Sequence, residues 1–201
     1  MASLITHPVV PLAVAAAVGR GVISVPLLIL GIAFSMFPDL DGVTFRLGIP
    51  YASPFGHRGF SHSIAVALLL ASITVPLSRA LKAAPLAVFC FLAIAMVSHG
   101  VLDAFTNGGH GVAFLWPFST ERIFFDFRPI EASPVSLRRF MSARGLQVLE
   151  SELIWVWMPA LALAAVGWCL RRLLRARAAR PTLTKARHLC PQLKLFVRLK
   201  R

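Results

Sequence analysis

The chain predicts an all-α fold, an integral membrane bundle of four to five apolar helices, and three observations predict it. Of its 201 residues, 57% are apolar and only 14% charged. The mean hydropathy is +0.75. Soluble domains sit near about 45–50% apolar and about 25% charged. The apolar residues fall into long runs separated by short basic connectors, and the polar residues gather where runs meet loops. So much apolar surface excludes intrinsic disorder for the body of the chain. Three cysteines exclude a disulfide scaffold; Cys90 and Cys169 lie inside apolar runs and read as small buried hydrophobes.

The net charge of +13 resembles a nucleic-acid footprint until it is divided along the chain. Residues 171–201 hold eleven Lys/Arg and no acid, whereas residues 1–170 hold ten Lys/Arg against eight acids. The charge belongs to a tail that follows an apolar run, the pattern of a cytoplasmic span end and not of a nucleic-acid surface. The organisation expected is a membrane domain over 1–170 and a basic cytoplasmic tail over 171–201, disordered or lying on anionic lipid headgroups.

Five stretches carry the bundle. Pro8–Val18 and Val22–Met36 are separated by Gly19-Arg20-Gly21, and Ile64–Ser78 and Pro85–Ser98 by Arg79-Ala80-Leu81-Lys82. Leu153–Leu170 ends at Arg171-Arg172. Fifteen helical residues cover about 22 Å against a hydrocarbon core of roughly 30 Å, so the shorter runs need apolar flanks, tilt or local thinning. With one crossing each, Arg20, the Arg79/Lys82 turn and the tail share one side, which the positive-inside rule gives to the cytoplasm. Loops 37–63 and 99–152 then face the other side of the membrane, expected to be a bacterial inner membrane. A single span over 8–36 is the alternative, and it would move His7 to the opposite side.

Four polar constellations occupy run ends: Thr6-His7-Pro8, Pro38-Asp39-Leu40-Asp41, His57-Arg58-Gly59-Phe60-Ser61-His62-Ser63 and Ser98-His99 through Asp103, followed by Gly108-Gly109-His110-Gly111. Thr6 and Ser61 read as helix caps. His99 and Asp103 are four apart, hence on one helical stripe. Asp39 and Asp41 share a face if their segment is extended. Three glycines give His110 the freedom to fold back toward the helix end. Ionisable groups at a membrane edge are costly and rarely idle. A nitrogen-and-carboxylate donor set without thiolate suits zinc, with manganese or iron also fitting. The bundle is therefore expected to hold a metal site of one to three ions at one end, among His7, Asp41, His57, His62, His99, Asp103 and His110.

These same blocks resemble a family of membrane-bound metal-dependent hydrolases, the YdjM-like proteins, over about residues 1–130, with His57-Arg58-Gly59-Phe60-Ser61-His62-Ser63 the most specific part. That family is distantly similar to zinc-dependent phospholipase C and related single-strand nucleases, helical enzymes with His/Asp metal clusters. The resemblance implies ligand roles for His7, Asp41, His62, His99, Asp103 and His110. Asp39 and His57 each compete with a near neighbour for one ligand position. A late-helix glutamate, sought among Glu121, Glu131, Glu150 and Glu152, has no assigned place.

The function expected is hydrolysis of a phosphoester, small or lipid, with Asp39 or Asp41 as general base and Arg58 steadying phosphate charge. A metal-stabilised scaffold or transporter is the non-catalytic alternative. A serine hydrolase built on Gly59-Phe60-Ser61-His62-Ser63 would need a strand-to-helix elbow that the period of the sequence does not support. Residues 104–150 are expected to roof the site, with Trp116, Phe118, Phe124, Phe125 and Phe127 lining a groove, dipping into the interface or packing the lid.

Overall fold

The computed structural model describes residues 1–134 and 136–198, with side chains described as far as residue 178. Its elements are α1 (Val9–Val18), α2 (Val25–Met36), α3 (Ile64–Thr74), α4 (Pro85–Ala104), α5 (Leu137–Phe140), α6 (Ala143–Glu152) and α7 (Met158–Arg198). Among the described residues no strand forms, only the isolated bridges Thr106–Ile130 and Val112–Ile123 in the roof.

The helix boundaries follow from local chemistry. Gly19 takes a φ of +93°, so α1 stops there and the chain turns back instead of running on as one span over 8–36. Ser24 opens α2 by accepting the N–H of Leu27 at 3.2 Å, with Pro26 in the first turn. Ser63 caps α3 by accepting the N–H of Val66 at 3.2 Å. The expected caps differ: Ser61 instead donates to Asp41, and Thr6 to Glu152. In both cases a buried carboxylate is the stronger acceptor for the hydroxyl.

Helix α4 is central, flanked by α2 and α3, while α1 packs chiefly on α7. The core joins Leu27, Ala71, Val88, Phe91 and Leu92 from α2, α3 and α4. Two contacts rely on glycine: a Cβ at Gly31 would collide with the Phe91 ring, and one at Gly167 with Ala17. Close approach through small residues is how helices associate in lipid.

Three helical stretches are long and apolar enough to cross a membrane, Val25–Phe45, Pro85–Ala104 and Ala143–Ala178, with Val9–Val18 and Ile64–Ser78 as shorter apolar helices. Each of the three outruns its apolar run in the sequence because a polar segment continues the helix: Phe37–Phe45 as a 3-10 helix, Val101–Ala104 at the end of α4, and α6 joined to α7 by a π turn at Leu153–Trp157. Cys90 and Cys169 are exposed, correcting their reading as buried hydrophobes; they sit on outward faces of apolar helices. The backbone of α7 extends to Arg198, but lipid contact by the basic tail concerns side chains that beyond residue 178 lie outside the described residues, as does Cys190.

Candidate metal centre

The antiparallel hairpins bring the start of α1, the end of α2, the start of α3 and the end of α4 to one end of the bundle. Asp39, His62, His99 and Asp103 each offer a ligand atom there, and these atoms all lie within 4.8 Å of one another. His99 and Asp103 come from one stripe of α4, with Nε2 and Oδ2 4.0 Å apart. His62 Nε2 stands 3.1 Å from His99 Nε2, and Asp39 Oδ1 3.4 Å from His99 Nε2. His7 completes the ring: it stacks on His99 with centroids 3.7 Å apart, and its Nε2 lies 3.8 Å from both Asp39 and Asp103.

Hydrogen bonds behind the cluster assign the tautomers. His99 Nδ1 donates to the Ser35 carbonyl at 2.7 Å, which leaves Nε2 a bare lone pair. His62 Nδ1 lies 3.2 Å from Asp41 Oδ2, so Nδ1 carries a proton and Nε2 is the atom turned inward, bare once the ring is neutral. Two such nitrogens 3.1 Å apart need a cation, a proton or a metal ion, within reach of both. Imidazoles oriented from behind by a carbonyl or carboxylate are the usual support of a metal site. Among the described residues, both ring nitrogens of His7 and both oxygens of Asp39 are buried without a hydrogen-bond partner. Orphaned buried groups of this kind are rare and costly. The donor set and its unmet valences therefore fit a divalent cation; Asp39, His62, His99 and Asp103, with His7 beside them, would hold it.

Burial, with His99 alongside, pushes the His7 pKa down to about 3, so it is neutral and free to donate a lone pair. At His62 burial works the other way from Asp103 and Asp41, and the carboxylates win, raising its pKa. An imidazole in so negative a pocket binds a proton until a metal takes its place.

Asp41 does not face the cluster. Its oxygens accept from Ser61 Oγ at 2.5 Å and the Arg58 N–H at 3.1 Å, with His57 Nδ1 at 2.5 Å and His62 Nδ1 at 3.2 Å. The expectation that Asp39 and Asp41 share a face fails because Phe37–Phe45 is a 3-10 helix. At about three residues per turn, positions two apart point to different sides. Asp41 therefore orients His62 and holds His57, which stays one shell behind the cluster.

Arg58 is wholly buried and does not face a substrate. Its guanidinium donates to Asp103 Oδ2 at 2.9 Å, Thr106 Oγ1 at 2.9 Å and the carbonyls of Gly108 and His110 at 3.1 and 2.9 Å. It adopts a φ of +61°, a conformation that costs roughly 1–3 kcal/mol and persists only where the surroundings enforce it. Its reading as a phosphate-steadying group is replaced by that of a strut which neutralises Asp103 and ties the roof to the bundle.

His110 is exposed, and its ring packs on Tyr51 with centroids 4.7 Å apart. The glycines do turn the chain back, but they deliver the His110 carbonyl to Arg58, not its imidazole to the cluster. The rest of the roof is pinned by Arg122, which donates to the carbonyls of Tyr51, Ser53, His57 and Gly111. The roof aromatics divide: Phe118 is almost fully exposed, Phe125 packs on Phe105, Phe127 on Trp155, Trp116 on Phe55 and Phe60, and Phe124 lies under Arg128.

Glu152 is the buried glutamate of the last long helix, yet it does not join the cluster. It accepts from Ser3 Oγ at 2.6 Å, Thr6 Oγ1 at 2.8 Å and the Ser3 N–H, while Trp157 Nε1 donates to Thr6 Oγ1 at 2.9 Å. Together with the bond from the Ala2 N–H to Asp103 at 2.8 Å, this network clamps the segment that carries His7. Sequence reasoning missed this clamp and the Ser35 carbonyl. The hydroxyl pair at positions 3 and 6 was the available signal for the first; a backbone carbonyl leaves none.

The fold and cluster define a class: a helical membrane bundle with a group of His and Asp at one end able to hold a metal ion. The chain belongs to the YdjM family, described as inner membrane proteins, which it matches over residues 1–175. It is 40% identical over 173 residues to the inner membrane protein YbcI of Escherichia coli strain K12, covering 86% of this chain and all of that protein. No solved structure matches it.

Proposed function

We propose that this protein is an inner-membrane, divalent-metal-dependent hydrolase of phosphoesters, with zinc the metal best suited to the donors. One observation carries the reading: two imidazole Nε2 atoms, each backed by a partner at Nδ1, face each other at 3.1 Å beside an Asp39 carboxylate that is buried without a partner. A divalent ion held there supplies Lewis acidity toward a phosphoryl oxygen and makes water acidic near neutral pH. His62, His99 and Asp103 are the fixed donors, oriented by Asp41, the Ser35 carbonyl and Arg58. Asp39 is the group with free oxygens at the cluster's edge, and we assign it the role of accepting a proton from water. Asp41 is fully engaged and serves to position His62 and His57.

A metal-stabilised scaffold is favoured by one feature, the complete burial of His7, His99 and Asp103. Asp39 favours the enzyme, because it also lines an open cavity. The basic connectors and tail support a cytoplasmic C-terminus, with the cluster near the opposite face and the tail on anionic headgroups.

The test is metal analysis of the purified protein beside His99→Ala and Asp103→Ala, together with turnover of a phosphomonoester and phosphodiester panel before and after chelation. About one or more bound ions per wild-type chain, reduced in both variants, with chelator-sensitive turnover, is expected. A wild type free of metal after mild purification refutes the proposal. Loss of folding together with metal, with no turnover in the wild type, selects the scaffold.

A further inference from the structure

On the outer side of the cluster Asp39 lines a cavity of about 390 Å³ whose walls are mostly Leu4, Ile5, Pro134, Leu137 and Phe140, with Met1, Ser3 and Ser133 beside them. That volume lies at the lower end of the range for small-ligand sites. The walls come from the clamped N-terminal segment and from α5, and Asp39 lines the inner end with its partnerless carboxylate buried just behind the surface. The mouth is apolar and outward-facing: Ile5 is 54% exposed, Leu137 75% and, just past α5, Met141 78%. An apolar rim of this kind is costly in water and belongs at the boundary between headgroups and acyl chains. Helix α5 also carries Arg138 and Arg139, both exposed, and among the described residues neither makes an ion pair.

Apolar walls, a metal-binding inner end and unpaired cations at the rim select a ligand that is apolar at one end and anionic at the other. We infer that this cavity is a lipid-phosphate groove: a glycerophospholipid bearing a terminal phosphate enters from the leaflet between residues 3–5 and α5. Its phosphate reaches the Asp39 side of the cluster, and its glycerol and first acyl carbons lie against Ile5, Leu137 and Phe140. The rim arginines gather anionic lipid at the mouth. The inference rests on the hydrolase reading for what happens to the phosphate, but the groove itself is tested by binding.

The experiment uses the full chain, zinc-loaded, in phosphatidylcholine nanodiscs containing phosphatidic acid with a diazirine on the first acyl carbons. Photolysis and peptide mass spectrometry should place adducts on Leu4, Ile5 and residues 137–141. A matched diacylglycerol probe, which lacks the phosphate, should label these residues much less. Leu137→Glu and Ile5→Glu should each weaken labelling roughly tenfold, the change set by losing one aliphatic contact. Both positions are exposed, and unaltered zinc content reports that each variant is folded. Adducts spread evenly over the outward faces of α2, α4 and α7, unchanged in the variants or equal for the two probes, would overturn the groove. If the wild type holds zinc and cleaves soluble phosphoesters while the groove stays unlabelled, the groove falls and the hydrolase reading stands. A labelled groove in a protein without zinc or turnover keeps the lipid site and removes the hydrolase.

Discussion

Replacing Asp39 by Asn should move the metal-free and metal-bound proteins in opposite directions. The two side chains are nearly isosteric, so packing is preserved. In the metal-free protein the Asp39 carboxylate is buried with both oxygens unpartnered. A buried, unsatisfied polar group costs about 1–3 kcal/mol, and more when charged. Asn removes the charge and can place its one amide nitrogen toward His99 Nε2, now 3.4 Å from Asp39 Oδ1, as a donor to that lone pair. The metal-free variant should therefore gain about 1 kcal/mol or more, which for a chain of this length is about 2–4 °C in Tm. Zinc should then stabilise the variant far less. Stabilisation by a ligand at 100 times its Kd is about 2.7 kcal/mol, and a hundredfold weaker site at the same concentration retains about 0.4 kcal/mol. The assay is thermal unfolding in detergent or nanodiscs, with and without zinc, for both proteins. A variant that loses stability without metal and keeps the full zinc-induced shift would refute the assignment of Asp39 as an open ligand.

Three further outcomes follow from the geometry. Arg58→Met leaves Asp103 buried without its guanidinium, a loss of about 3–5 kcal/mol, and Arg58→Lys should not restore it because the fork to four acceptors is gone; unfolding midpoints of the two variants read this. Glu152→Gln should loosen the N-terminal segment by about 1.5–3 kcal/mol for its charge-assisted bonds, seen as faster amide exchange over residues 2–7 and weaker zinc binding, with exchange in α2 and α4 unchanged. His110→Ala should leave bound zinc and its affinity unchanged, measured by metal analysis and competitive chelation, because its ring lies on Tyr51 and outside the cluster.

The all-helical membrane architecture was legible in the chain because run length, basic connectors and polar run ends agree. The His99–Asp103 pair was legible for the same reason that any i, i+4 pair is: both residues lie in one regular helix. The rest of the site depends on geometry that residue types do not encode. Asp39 and Asp41 were expected to face together, but proline at position 38 opens a 3-10 helix, and that separates them. His110 sits among three glycines that permit many paths, and only the packing of Arg58 selects one. Arg58 carried the charge expected of a phosphate binder, yet burial beside Asp103 makes it structural. The Glu152 clamp joins residues almost 150 positions apart, beyond the reach of any local pattern.

That clamp also sets an order of assembly. Helices α1 to α4 can pair as two successive hairpins while the chain is still being made, and with them come Asp39, His62, His99 and Asp103. His7, however, is seated by an anchor that leaves the ribosome only after residue 152, on the last helix to enter the bilayer. The fifth residue of the cluster, its third imidazole, is thus locked in place at the end of biogenesis, so a shortened or stalled chain would present an open cage, and only the completed protein would latch it shut.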